Sequence, residues 1–415
     1  MPPNDYMQDV ISPPIAVPEP NLTPAEMVRR ARELVPWLRE RAAGMEQARR
    51  ISDEVNQRLM ATGIYRVLQP RRFGGYEFDL TTYAAAVAAI TRGDASTGWV
   101  VSFNAAHTWW TTQLPERGQI DLFGADGDLR VPIAFAPQGV ATPVEGGFLL
   151  DGRWDYCSGC DVSNWLAVVA PVVGDERGAA DAEVLLAYVA SGTFQIEDNW
   201  HVLGLRATGS KRAVMEQLFV PSHRTVSFAP LLHHGTTPGH GVHANPLYRL
   251  PLVPIVCVEV AAIASGLAQA AIDAFIEHID AKRLTAPPFT PMKELRRTQA
   301  CLGRAASRFE AVQAGTYELI RRQEARIARL GDGAPFEEVE IRRDLLLLDE
   351  VARLAQECVA TVFAGAGTSA ARSGHRLERI FRDMSMMQTH RFIDAERTTE
   401  NFGALSLGFP PYSDL

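Results

Sequence analysis

Apolar and polar positions follow three successive rhythms along this chain. From Thr23 to Met60, and again from Leu80 to Thr112, apolar side chains return every three or four residues, the spacing of one face of an α-helix. Thr23-Pro24-Ala25-Glu26 starts the first stretch: threonine caps, proline suits the first helical position, and Glu26 reaches back as in a capping box. Pro36 is expected to break or kink this helix, Ser52 to restart it and Gly63 to close it. Beyond a loop at 71–79, helices are expected over Leu80–Arg92 and Ala95–Thr112, split at Gly93-Asp94. The second carries Trp99, Phe103, His107, Trp109 and Trp110, and the four- and three-residue spacings place Phe103, His107 and Trp110 on one face.

Near Arg130 the rhythm shortens. Val131–Ala136, Phe148–Tyr156, Leu166–Val173, Glu183–Val189 and Gln217–Val220 are brief apolar segments between Gly, Pro, Asp and Asn clusters, the mark of strands. Leu149–Ala170 is the centre of this unit. It reads as two strands joined by a short turn at Ser158-Gly159, and with Trp165 it forms a place where a planar ring could lie.

Helical spacing then resumes. Pro254–Arg283 is apolar nearly all round at its start, as a buried helix is. Leu295, Leu302 and Phe309 recur every seventh residue, and Leu347, Val351, Leu354 and Cys358 line a second helix, so both suit a bundle seam. A last helix is expected from Leu377 into the 390s, carrying His390. The fold class is mainly α with a central β unit. The expected divisions are a disordered leader (1–22), a helical domain (23–129), a middle β barrel or sandwich (130–229), a loop or lid (230–249) and a long-helix bundle (250–415).

Composition narrows the function. A net charge of −8 disfavours nucleic acid and anionic membrane surfaces as partners. No apolar run is expected to reach the ~20 residues that span a bilayer. The first 21 residues show neither the basic nor the apolar region of a secretory signal, and five scattered cysteines suit a reducing cytoplasm.

Several motifs invite chemistry. Cys157-Ser-Gly-Cys160 lacks a second cysteine pair for zinc and precedes a strand where a redox motif opens a helix. His233, His234, His240 and His243 lie among glycines and prolines that give a metal no rigid scaffold, so LLHHGTTPGHGVHANP (231–246) reads as a mobile surface loop gating a cavity. Gly365-Ala-Gly367-Thr-Ser-Ala370 follows a helix, not the strand that a dinucleotide fingerprint needs. His107 and His390, taken alone, read as structural histidines more readily than as catalytic ones.

Together, the helix–strand–helix order, Trp154–Gly159 with Trp165, Trp200–Lys211 (WHVLGLRATGSK), LFVPSHR (218–224) and IFRDMSMMQTHR (380–391) resemble the acyl-CoA dehydrogenase fold, from Asn21 to Phe409. WDYCSG and GLRATGS most resemble its group D branch, the oxygenase components of two-component flavin-dependent monooxygenases, such as hydroxyphenylacetate hydroxylase, steroid-phenol hydroxylase and dibenzothiophene monooxygenase. The dehydrogenase glutamate base is missing where Arg382-Asp383 would place it, and Arg283 lacks the Phe-Gly that should follow.

The resemblance implies a C4a-hydroperoxide of reduced FMN (or FAD), formed with O₂, that hydroxylates a small aromatic substrate, phenolic for preference. It implies a separate NAD(P)H:flavin reductase, a homotetramer and a cytoplasmic location. It puts Ser158 near flavin N5 and Trp165 and Gly159 against the ring. Phe135, Ala136 and Pro137 supply backbone contacts, Thr208 and Ser210 lie on the flavin side, and Arg283 meets a phosphate. His390 or His107 would be the base, in a pocket with Phe103 and Trp110; no metal is expected. The alternatives are an N- or S-oxygenase, an FAD-dependent acyl-CoA dehydrogenase-like enzyme and a non-catalytic helical assembly protein.

Overall fold

The computed structural model describes residues 13–135, 138–174, 183–232, 236–331 and 337–412. Among the described residues five helices come first: α1 (Pro24–Ala48), α2 (Asp53–Thr62), α3 (Leu80–Gly93), α4 (Ala95–Thr111) and α5 (Glu116–Phe123). The Thr23 hydroxyl caps α1 by accepting from Glu26 N, but the Glu26 carboxylate turns to Arg29 and Arg30 instead of completing a capping box. Pro36 neither breaks nor ends α1. It is exposed, as is Arg32 one turn earlier, so the carbonyl that loses its partner sits on the solvent face. The buried stripe Met27, Ala31, Leu34, Leu38, Ala42 and Met45 continues past it. The leader expected to be disordered is tied down where it is described: Ile15 bridges to Phe73, and Leu22 is buried.

Eight strands follow among the described residues: β1 (Ile133–Ala134), β2 (Gln138–Val144), β3 (Gly147–Cys157), β4 (Trp165–Pro171), β5 (Val184–Ala190), β6 (Gln195–Glu197), β7 (Lys211–Pro221) and β8 (Thr225–Ser227). They form two four-stranded sheets, ordered β1-β4-β5-β8 and β2-β3-β7-β6. β3 and β4, the two strands joined by the turn at Ser158, belong to different sheets. Trp154 on β3 joins the layers: it is fully buried, and its Nε1 donates to the Val169 carbonyl on β4 at 2.9 Å. Gly139 on β2 leaves room for it, since a Cβ there would lie 2.3 Å from the indole.

The chain ends in helices: short α6 (Ala229–Leu232), then α7 (Leu252–Asp280), α8 (Arg296–Gly331), α9 (Glu338–Ala366), α10 (Arg376–Met387) and α11 (Ala395–Ser406). α7 does have the length and apolar composition of a membrane-spanning helix, contrary to expectation. Nearly all of its apolar window is buried, with α3, α8 and α9 packed along it. The expected last helix is two helices. α10 stops after Met387, and the Asp394 carboxylate caps α11 by accepting from Arg397 N, so His390 sits in the turn between them.

The 231–246 loop is no free surface lid over its described part; His233 and His234 lie outside the described residues. Gly239 N donates to the Gln113 carbonyl, the Thr237 hydroxyl donates to Gln113 Oε1, and His243 Nε2 meets Gln119 Oε1 at 2.7 Å. Gly365 packs against Cys301 on α8, and Gly367, at φ +76°, ends α9.

Candidate active site

Ser158 owes its place to an interrupted strand. β3 loses register with β7 between Trp154 and Cys157, and Tyr156 there takes a left-handed φ of 67°. Such a bulge re-aims the side chains that follow it. The backbone next turns through Gly159 at φ +78°, where a Cβ would come within 2.6 Å of Val100 on α4. A single turn, Cys160–Val162, then delivers the chain to β4. Ser158 thus stands at the seam of the two sheets, facing the helical domain.

It opens on a cavity of about 370 Å³, within the usual range for small-molecule sites. Of the expected residues, Phe103, His107, Phe135, Ser158, Thr208, Ser210 and His390 all line it. Trp99, Tyr156, Trp200, Leu205, Met386 and Arg391 line it too. Sequence reasoning did not pick out these six as site residues. Trp99 was the most accessible of them, lying four residues before Phe103 on α4.

Other expectations fall outside the cavity. Trp110 is fully buried behind His107, packing on Phe135 and Phe228, so it supports the wall without forming it. Trp165 is half-buried on β4 under the Arg224 guanidinium, away from the cavity lining. Arg283 lies in the turn after α7, its guanidinium reaching the Phe289 carbonyl. No residue described between 236 and 246 lines the cavity. Ala136 and Pro137 lie outside the described residues.

Three hydroxyls run in line along one wall. Thr208 Oγ1 donates to the Leu205 carbonyl at 2.8 Å, Thr208 and Ser210 are 2.7 Å apart, and Ser210 and Ser158 are 2.8 Å apart. Each hydroxyl has one proton to give. Thr208 spends its own on Leu205, so Ser210 donates to Thr208 and Ser158 donates to Ser210. Ser158 is left facing the cavity as an acceptor.

His107 is oriented with equal economy. Its Nδ1 lies 2.6 Å from the Val131 carbonyl oxygen, which can only accept, so Nδ1 carries the proton and the lone pair is on Nε2. Burial pushes its pKa down to about 3, against the opposing pull of the Val131 carbonyl. His390 stands edge-on to Trp99 at 5.2 Å and tilted to Phe103 at 6.0 Å. Its pKa falls to about 4, mainly through burial and further through the Arg391 charge. Its Nδ1 is buried without a hydrogen-bond partner among the described residues, which leaves a polar atom for a ligand to satisfy.

Aromatic walls, a row of hydroxyls and an orphaned imidazole nitrogen suit a flat, largely apolar heterocycle with a polar edge, and a flavin ring fits that description. Cys157 and Cys160 are buried beside this wall with their thiols on the Trp154 and Gly209 carbonyls, and burial pushes both pKa values up, Cys160 to about 12. Among the described residues no group of three or more His, Cys, Asp or Glu side chains could hold a metal ion.

Comparison with known proteins agrees with this geometry. The acyl-CoA dehydrogenase N-terminal domain matches residues 25–114 and the acyl-CoA dehydrogenase C-terminal domain matches residues 258–395. The chain is 32% identical over 384 residues to the flavin-dependent monooxygenase oxygenase subunit HsaA of Rhodococcus jostii, covering 92% of this chain and 98% of that one. It is 32% identical over 254 residues, 61% of each chain, to the FADH(2)-dependent resorcinol hydroxylase oxygenase component of a Rhizobium species. The crystal structure of 3-HSA hydroxylase from Rhodococcus sp. RHA1 superposes with a TM-score of 0.86 at 30% identity, covering 94% of this chain and 98% of that one. These likenesses decide against the dehydrogenase and non-catalytic alternatives. The chain belongs to the oxygenase components of the two-component flavin-dependent monooxygenases, enzymes of the acyl-CoA dehydrogenase fold that use reduced flavin and O₂.

Proposed function

We propose that this enzyme hydroxylates a small phenolic ring, with His107 as the base for the phenolic proton and Ser158 as the acceptor at flavin N5–H. The observation that carries this reading is the His107 tautomer, fixed by Val131, with its lone pair on Nε2 in an aromatic-walled cavity. Reduced flavin, when bound, supplies the activated oxygen. The protein's residues hold the reactants and move one proton.

A buried imidazole with a pKa near 3 is too weak to ionise a free phenol, whose pKa lies near ~10. It does not need to. As the ring carbon takes up oxygen, the phenolic O–H turns into a protonated carbonyl and its acidity rises steeply, so a weak, well-aimed base can take the proton in the transition state. His390 offers the substrate or the transferred oxygen a second hydrogen bond through the ring nitrogen that lacks a partner. Trp99, Phe103, Phe135 and Met386 keep water out, which disfavours loss of the oxygen as H₂O₂.

The flavin is FAD or FMN, supplied by a separate NAD(P)H:flavin reductase; the FADH(2)-dependent relative supports the former. Arg283, exposed at the end of α7, suits a flavin phosphate held across a subunit interface. Exposed Ile276 on α7 and Tyr317 on α8 suit a homotetramer built through the bundle. Five free, buried cysteines suit the cytoplasm.

The test is product analysis with chemically reduced FAD or FMN, O₂ and matched substrates. Phenols should be hydroxylated, and their O-methyl ethers, which have no proton for His107, should not. Oxidation of the ethers, or of indoles and sulfides in preference to phenols, would point instead to the N- or S-oxygenase reading.

A further inference from the structure

We propose that Asp383 on α10 is a positioning residue for oxygen transfer, holding Ser158 in its acceptor state through the backbone of Leu205. This rests on the reading of Ser158 given above and extends it to a residue that touches neither flavin nor substrate.

Leu205 is the anchor of the hydroxyl row, because its carbonyl takes the Thr208 proton and so sets the direction of every donation after it. The same carbonyl accepts from Trp200 Nε1 at 3.3 Å. Leu205 is also strained: its φ is +51°, a left-handed conformation that a branched side chain holds only when its surroundings enforce it. The enforcement comes from α10. Leu205 N donates to the Asp383 carboxyl at 2.6 Å, with both residues buried. Arg382 Nη1 donates to the Leu203 carbonyl at 2.9 Å. Between them Gly204 lies flat on the helix, where a Cβ would come within 2.2 Å of the Arg382 carbonyl. The segment 203–205 is thus pinned to α10 on one side and directs the hydroxyls on the other.

The groups facing Asp383 are Asp94, which caps α4, and Arg379 and Arg382 on α10, and both arginines pair in turn with Glu46 on α1. Burial, with Asp94 adding to it, raises the Asp383 pKa to about 7 against the pull of Leu205 N–H and the two arginines. The Leu205 N–H needs only an acceptor, which the carboxylate and the neutral acid both provide. Asparagine provides one as well, and alanine does not.

The experiment compares Asp383→Ala with Asp383→Asn. In flavin-free protein, amide hydrogen exchange across 203–211 should quicken by about fivefold or more in Asp383→Ala, the weight of one hydrogen bond, and stay near wild type in Asp383→Asn. In the loaded enzyme, Asp383→Ala should raise H₂O₂ released per flavin oxidised to the level of Ser158→Ala, and the double variant should be no worse than Ser158→Ala alone. If Asp383→Ala does not fold, Thr208→Val breaks the same row without touching α10 and should give the same H₂O₂ rise. Wild-type exchange and coupling in Asp383→Ala would overturn the proposal, as would full additivity in the double variant or unchanged coupling in Thr208→Val. If Ser158→Ala leaves coupling unchanged, the Ser158 reading and this proposal fall together. If Ser158→Ala uncouples and Asp383→Ala does not, only this proposal falls.

Discussion

Replacing His107 with asparagine separates its two nitrogens. The asparagine side-chain nitrogen can reach the position of Nδ1 and keep the donation to the Val131 carbonyl, while nothing replaces Nε2. Product formation should therefore fall by roughly 10²–10⁴, the usual weight of a general base, while flavin oxidation continues and releases H₂O₂. Stability supplies an independent magnitude. The His107 pKa lies at about 3 in the folded chain, against an ordinary value of 6.5, so the unfolded chain takes up this proton first as pH falls. The stability tied to neutral His107 is complete above pH 6.5 and declines as pH falls toward 3. Between pH 8 and pH 5 that loss is about 2 kcal/mol for this one residue. Asp383 and Asp349, whose pKa values are raised to about 7 and about 6, change stability in the opposite sense over the same range, but they are present in both proteins. Urea unfolding from pH 5 to 8 should thus show a shallower acid decline in His107→Asn by about 2 kcal/mol, at unchanged m-value. Parallel stability profiles would refute the burial argument. A wild-type yield of hydroxylated product in single turnover would refute the base.

Ser158→Ala should fold normally and raise the H₂O₂ released per flavin oxidised, because an acceptor worth ~1 kcal/mol is lost from a dry site; an unchanged ratio would remove Ser158 from the flavin edge. Gly159→Ala should lower the melting temperature, since it adds about 1–2 kcal/mol of left-handed backbone strain to a contact with Val100 that must open from 2.6 Å; an unchanged melting point would show that α4 and the Ser158 turn are not locked together.

The fold was legible because its rhythms are long and its neighbours in sequence are neighbours in space. α3, α4 and α7 to α10 each announce themselves by spacing or cap. The failures share a cause, which is tertiary context that periodicity does not carry. A break at Pro36 was among the expectations because nothing local says that its freed carbonyl would face water. The Ser158 turn was legible as a link between two strands, but only the packing of Trp154 onto Val169 shows that β3 and β4 lie in different layers. Trp110 shares a helical face with Phe103 in projection, but Phe135 and Phe228 cover it. The hydroxyls of Ser158, Thr208 and Ser210 could be named from their motifs. Their direction of donation could not, because it depends on a carbonyl at Leu205 and an acid at Asp383, which are distant in the chain from Ser158.

The apolar core helix also has a history during synthesis. When α7 leaves the ribosome, its partner α3 has already been made, but α8 and α9 are still to come. At about 5–20 residues per second, the 86 residues from Asp280 to Ala366 take some 4–17 s to appear. For that interval a helix as greasy as a membrane span is covered on one side only. The nascent chain is then a natural client for chaperones, and fragments ending between α7 and α9 should be found in inclusion bodies while the whole chain is not.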